Sequence, residues 1–209
     1  GFKPPEVVHY SFILLKERGK SKKMSTRKGD FILLEDFLNE AIKKAKKEIN
    51  KRKTKGDPKK VGVGAVKYEI LKHNNSKTIH FDLDEALNFD GDTGPYMQYS
   101  YARASSILRK AKKRIRKILT INELEKSEIE LVKKLQEFPE VVQRAYEQFN
   151  PAFIANYAYQ LAKSFNEFYE KCHVIKSKKT DFRLAIVSCF RQVLKNALYL
   201  LGIEVLEEM

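Results

Sequence analysis

The apolar positions of this chain change rhythm near its middle. Residues 7–15 form an apolar, β-branched and aromatic run, and residues 31–34 a second, shorter one; both patterns predict buried strands. Between them lie a basic turn at 17–22 and the stretch Lys23-Met24-Ser25-Thr26-Arg27-Lys28-Gly29, so a basic loop is expected to hang between two strands. From Glu35 the period lengthens. Phe37, Leu38, Ala41, Ile42, Ala45 and Ile49 recur at helical spacing with lysines opposite, and the helix runs out in a charged loop at 51–58. Another helix opens at Gly62. Lys67 stands where a dinucleotide fingerprint would need its third glycine, so Gly62 and Gly64 are read as sites of close helix packing. Residues 78–81 predict a short strand, 82–87 one helical turn with acidic residues at its favourable N-terminal end, and 91–95 a turn.

Beyond Pro95 no strand pattern remains, and the rest reads as five helices with short connections, which is a bundle. The first runs from Pro95 to about residue 119. The second follows a capping box at Ser127–Glu130, the third begins at Phe138-Pro139, and the fourth is capped by Asn150-Pro151. The fourth carries Ile154, Tyr157, Leu161, Phe165, Phe168 and Cys172 as one stripe. The last, from Thr180, is expected to carry Phe182, Ala185, Ile186, Cys189, Val193, Ala197 and Leu200 inward and to stop at Gly202. Both cysteines are read as small core residues. The turn at Gly94-Pro95 predicts a domain boundary there, with a bundle that folds without the residues before it.

Charge narrows the function. Lys and Arg number 41 against 27 Asp and Glu, and the net charge of +14 argues for a polyanionic partner, nucleic acid ahead of an anionic membrane surface. No apolar run approaches the roughly 20 residues that a membrane span needs. Two cysteines make neither a disulfide framework nor a zinc signature, which suggests a reducing, cytoplasmic setting. His9, His73, His80 and His173 lie in no metal spacing and beside no nucleophile, and no P-loop occurs, so no protein-bound metal is expected. The chain begins Gly1-Phe2-Lys3-Pro4-Pro5, with no signal peptide, and reads as a cut inside a longer protein. The loop around Lys23 is the good candidate for direct chemistry, placing cations against charge that develops on a phosphate; the bland alternative is a solvated hairpin tip. Arg109, Lys110, Lys112, Lys113, Arg114, Arg116 and Lys117 run without an acid between them, as either a phosphate-tracking or a solvated face.

These residues carry a resemblance. Lys23-Met24-Ser25-Thr26-Arg27 resembles the second signature loop of class I aminoacyl-tRNA synthetases, and Lys28-Gly29 extends it as in arginyl-tRNA synthetases. The likeness continues through Gly64-Ala65-Val66-Lys67-Tyr68, Phe81-Asp82, Thr93-Gly94-Pro95-Tyr96-Met97-Gln98-Tyr99 with Arg103, and Arg191-Gln192-Val193-Leu194-Lys195-Asn196-Ala197, to Leu200-Leu201-Gly202-Ile203 and Met209. Two departures are visible. Thr26 stands where the class motif has its second Lys, and the Asp-Ala-Leu-Arg motif reads Asp181-Phe182-Arg183-Leu184; the His-x-Gly-His signature is not in this sequence.

The resemblance implies a mainly α chain: residues 1–93 as the C-terminal tail of a class I, Rossmann-type catalytic domain, and 94–209 as an all-α anticodon-binding bundle. It implies an arginine–tRNA ligase that activates arginine with ATP, accompanied by Mg²⁺ in the complete enzyme, and transfers it to arginine tRNA. Lys23, Ser25 and Arg27 would be catalytic, and Lys23, Met24, Ser25, Thr26, Arg27 and Lys28 would bind ATP. Arg109, Lys113, Arg116, Tyr157, Tyr169 and Met209 are the candidates for tRNA contact, with simple core packing as the competing reading of Tyr157. Rival readings are a non-catalytic tRNA-binding module or split subunit, and a helical interaction protein with no RNA role.

Overall fold

The structure is a computed structural model and describes residues 2, 4–17, 20–22, 32–111 and 123–209. The signature loop, with Lys23, Met24, Ser25, Thr26, Arg27 and Lys28, and the basic residues Lys113 and Arg116 lie outside the described residues.

Strand β1 (Ile13–Glu17) is flanked by β2 (Lys20–Lys22), antiparallel, and by β3 (Ile79–Phe81), parallel. This corrects both expected strands. Of the apolar run at 7–15 only its end pairs, and Val7, Val8, Tyr10 and Phe12 are exposed. An apolar run becomes a ladder only where a neighbour offers backbone groups, and the register of β3 reaches back no further than Ile13. Over its described residues, 32–34, the second run is no strand either. Leu34 opens helix α1 (Leu34–Arg52), with Glu35 and Asp36 in the first turn, where carboxylates complement the dipole.

The α1 face at Ala41, Ala45 and Ile49 packs on α2 (Pro58–Leu71), which starts earlier than expected because Asp57 caps it and Pro58 suits its first turn. Asp57 Oδ1 accepts the Lys59 amide at 2.8 Å. The glycines do allow close packing. A Cβ on Gly62 would stand 2.9 Å from the α1 backbone at Ala41 and Ile42, and one on Gly64 2.8 Å from Gln98 Nε2. The single turn α3 (Leu83–Ala86), capped by Asp82, completes this half.

The bundle comprises α4 (described over Gly94–Ala111), α5 (Lys126–Gln136), α6 (Phe138–Glu147), α7 (Ala152–Lys171) and α8 (Thr180–Leu200). The α7 stripe from Ile154 to Cys172 is buried as expected. Phe165 stacks on Phe190 of α8 with centroids 3.8 Å apart. Two details of the expected pattern are corrected. The inward face of α8 is Leu184, Ile186, Val187, Phe190, Leu194, Ala197 and Leu198, while Cys189 and Leu200 are exposed. Two adjacent stripes of α8 are apolar, and packing against α4, α5 and α7 selects the one carrying Phe190 and Leu194. The capping box of α5 lies two residues earlier than read: Glu128 reaches back to the Glu125 amide at 2.7 Å, and Ser127 is buried 3.4 Å from Cys172 Sγ.

The chain has two cores, and α2 belongs to both. Val61, Ala65 and Val66 fill the first with Ile79, Phe81 and Leu87; Tyr68 enters the bundle core beside Met97 and Ala155. Past α8, Gly202 at φ +66° turns the chain, with the Ile203 amide closing on the Leu198 carbonyl at 2.9 Å, a Schellman-type stop. The tail, 203–209, then runs back over α2 and inserts Leu206 into the first core. Gln98 ties the three pieces, donating to the carbonyls of Lys60 and Glu204 at 3.0 and 2.8 Å.

Candidate nucleic-acid interface

A groove of about 970 Å³ opens where α4, the end of α7, the α1–α2 loop and the tail meet. Helix α4 supplies Tyr99, Arg103, Arg109 and Lys110; the loop supplies Lys53 and Lys55; α7 supplies Tyr169 and Glu170; the tail supplies Glu207, Glu208 and Met209. Three of the predicted tRNA contacts, Arg109, Tyr169 and Met209, are therefore brought to one surface. Tyr157 is not among them. It is 5% exposed, its hydroxyl donates to the Lys134 carbonyl at 2.9 Å, and its ring packs on Phe138 with centroids 5.7 Å apart. A ring so enclosed offers no face to a base, and burial pushes its phenol above the usual range. The expectation for Tyr157 is corrected to core packing.

The residue that sequence reasoning did not assign as a contact is Arg103. Its guanidinium carbon lies 4.8 Å from the Tyr99 ring centre and 4.9 Å from that of Tyr169, and Nη1 donates to Asn166 Oδ1 at 2.6 Å. Asn166 in turn donates to Tyr96 Oη and Ser100 Oγ at 2.8 and 2.9 Å. Two aromatic rings and an amide thus orient a permanent cation. The signal was present in the sequence: Tyr99 and Arg103 are four apart and share one face of α4. A second hollow of about 500 Å³, with Arg52, Phe89, Tyr96 and Asp90, shares Tyr99 and Arg103 and continues the surface. Aromatic faces interleaved with cations at a cleft are what unpaired bases and their phosphates bind.

The α7–α8 segment bounding the groove is held from behind. Glu128 is fully buried; its Oε1 accepts from Arg183 Nε at 2.7 Å, and Arg183 Nη1 donates to the His173 carbonyl at 2.8 Å. Lys179 adds a contact at 3.3 Å. Burial acting alone would raise the Glu128 carboxyl, but the Glu125 amide, Arg183 and Lys179 outweigh it and hold it below the usual carboxylate range. Arg183 belongs to the altered Asp181-Phe182-Arg183-Leu184 motif, so this variant of the motif ties α8 to α5 and to the groove wall.

On the catalytic side, β2 ends at Lys22, directly before Lys23. A cavity of about 710 Å³ beside β1 is lined by Leu15, Lys16, Phe37, Lys44, Phe81 and Asp84. Lys44 is 2.7 Å from Asp84, and Lys16 3.7 Å from Glu85. The described cations lining that cavity are thus engaged by carboxylates. Among the described residues no group of three or more His, Cys, Asp or Glu is placed to hold a metal, and no helix is long and apolar enough to cross a membrane.

Comparison with known proteins agrees with both halves. The model of the DALR anticodon binding domain matches residues 97–209, and that of the class I (R) tRNA synthetase catalytic domain matches residues 1–83. An arginine–tRNA ligase of Clostridium botulinum (strain Hall) is 43% identical over 209 residues, 96% of this chain and 37% of the relative. One from Lactococcus lactis subsp. cremoris is 42% identical over 98% of this chain and 37% of its own length. The solved arginyl-tRNA synthetase of Thermus thermophilus superposes with a TM-score of 0.85 at 31% identity, over 96% of this chain and 35% of that one. The Plasmodium falciparum structure gives 0.78 at 25% identity, over 96% and 34%. The chain therefore spans little more than a third of the curated relatives it matches. It belongs to the arginyl-tRNA synthetase family, and carries that family's DALR anticodon-binding domain behind a segment of its class I catalytic domain.

Proposed function

We propose that the chain is the C-terminal part of an arginine–tRNA ligase, working in the cytoplasm. The complete enzyme would join arginine to ATP, with Mg²⁺, and pass the arginyl group to arginine tRNA; this part would supply the ATP-side loop and the surface that holds the anticodon arm. The observation that supports the RNA role most directly is the groove in which Arg109, Tyr169 and Met209 meet the ring-clamped Arg103. Phosphate contacts there would fix position, and selection of one tRNA would fall to the aromatic faces, since base contacts carry sequence information. Lys113 and Arg116, outside the described residues, would add phosphate contacts. Filter binding of arginine tRNA and a non-cognate tRNA across a salt series tests this reading. Affinity that falls steeply with salt for both, with a residual preference for arginine tRNA, is expected; salt-independent binding refutes it.

For the signature loop, Lys23, Ser25 and Arg27 would stabilise the charge developing on the departing pyrophosphate, with Met24, Thr26 and Lys28 completing the ATP contact. In the complete enzyme, Lys23→Ala should slow arginine-dependent ATP–pyrophosphate exchange by about 10²- to 10³-fold while tRNA affinity changes little. Unchanged exchange removes Lys23 from that role. The chain alone should show no exchange.

A further inference from the structure

One contact across the mouth of the groove is made by the chain with itself. Glu208, in the tail, places Oε1 3.2 Å from Arg109 Nη2 on α4 and lies with Oε2 3.9 Å from Lys55 Nζ in the α1–α2 loop. A single carboxylate thus bridges one cation from each half of the molecule. Its neighbour is anchored differently. Glu207 accepts the hydroxyl of the buried Tyr101 at 2.9 Å and lies 3.6 Å from Arg191. Burial acting alone would raise the Glu207 carboxyl, but Ser105, Tyr101 and Arg191 outweigh it and hold it low. Glu207 therefore fixes the tail, and Glu208 projects from a fixed base.

The Glu208 bridge is built to give way. The Lys55, Arg109 and Glu208 side chains are 88%, 53% and 49% exposed, so water and salt screen both pairs and little free energy holds them. A carboxylate offers two equivalent anionic oxygens, and a phosphodiester offers the same two-oxygen bite with its charge held against the same cations. Lys53 and Lys110 line the same groove and add to its positive potential.

We propose that Lys55 and Arg109 form a phosphodiester subsite of the groove, and that Glu208 occupies it as an internal competitor which an RNA strand displaces. The subsite rests on the reading of the groove as an RNA surface, and it adds a self-limiting step: every strand that enters exchanges an intramolecular anion for its own phosphate. Removing the carboxylate therefore strengthens binding, although most substitutions near a binding surface weaken it.

The test compares the chain with Glu208→Gln and with Arg109→Gln, alone and combined, in two assays. Affinity for an anticodon-arm RNA hairpin is measured at low salt, and inorganic pyrophosphate is titrated while the backbone amide resonances of the tail, 203–209, are followed by NMR. Glu208→Gln is expected to bind both probes about three- to tenfold more tightly, because two weak ion pairs no longer compete. In the Arg109→Gln background that gain is expected to shrink to about twofold or less, since the two residues act as one unit. Equal or weaker binding of both probes by Glu208→Gln, in a protein of unchanged melting temperature, overturns the proposal. A full gain without Arg109 also overturns it, because the effect is then one of net charge. A hairpin that binds neither chain, together with pyrophosphate that binds Glu208→Gln more tightly, leaves the phosphate subsite standing and refutes the RNA reading instead.

Discussion

Tyr157 and Tyr169 lie on the same helix, yet only one of them faces the groove. Twelve positions of an α-helix amount to a rotation of about 120°, enough to take one ring into the bundle and leave the other at its edge. Opposite consequences follow for the two phenols. Tyr157→Phe removes the partner of the half-buried Lys134 carbonyl; it should lower stability by about 1 kcal/mol and leave RNA affinity unchanged, as thermal melting and hairpin binding would show. Tyr169→Ala removes a 42%-exposed ring and one wall of the Arg103 clamp; it should weaken hairpin binding by about 5- to 160-fold, the range that base stacking of about 1–3 kcal/mol per base covers. Equal effects of both changes on binding would mean that the groove is not where the RNA lies. The same pair shows what a sequence reveals. Both tyrosines were candidates by composition and position, and the α7 stripe already put Tyr157 in line with Leu161 and Phe165, so its burial was legible. The Tyr99 side of the Arg103 clamp was legible too, but the Tyr169 side was not, because Tyr169 reaches Arg103 across a helix–helix gap that no spacing along one segment encodes.

Helix α5 is attached to α8 by a charged contact as well as by its apolar face. Glu128 has no exposed surface, closes the first turn of its own helix, and accepts from Arg183 of the other. Glu128→Gln leaves the guanidinium facing a neutral amide in a buried place; it should cost about 3–5 kcal/mol and release the His173 side of the groove. The pH dependence has a definite sign. The folded carboxyl titrates below its unfolded counterpart, whose value is about 4.3, so the stabilisation is fully present above that value and is lost as pH falls through the lower folded one. Acid unfolding followed by circular dichroism should therefore be less steep in Glu128→Gln than in the parent chain. At this scale the sequence was legible where one face is plainly apolar, as in α1 and α7. It misled where two stripes compete, as in α8, where Cys189 and Leu200 point to solvent. It misled again where an apolar run stays exposed ahead of the ladder, as at Val7, Val8 and Tyr10.

At the scale of the whole chain, the turn at Gly94-Pro95 marks a change of pattern, but the packing crosses it. A Cβ on Gly94 would stand 2.8 Å from the Gly64 carbonyl, the Tyr68 hydroxyl donates to Asp92 at 2.5 Å and approaches the Ala155 carbonyl at 3.3 Å, and Gln98 spans α2 and the tail. We therefore expect a piece beginning at Asp57 to melt in one cooperative step. A piece beginning at Thr93, which leaves the Tyr68 site in the bundle core empty, should be weaker by about 3–5 kcal/mol, the usual cost of emptying a large core site. Equal stability of the two pieces, by chemical denaturation, would make α2 dispensable to the bundle. The tail draws a further consequence from the turn that launches it. Lys67 Nζ holds the Gly202 carbonyl at 2.5 Å, and Gly202 itself sits at φ +66°, a torsion that a side chain makes costly by about 1 kcal/mol or more. Everything the tail delivers, from the Glu204 carbonyl on Gln98 to Leu206, Glu207, Glu208 and Met209, lies downstream of that one angle. Gly202 thus works as a rudder: a small change in its heading would sweep the far end of the chain across the groove, so that a residue outside the groove still sets the course of those that line it.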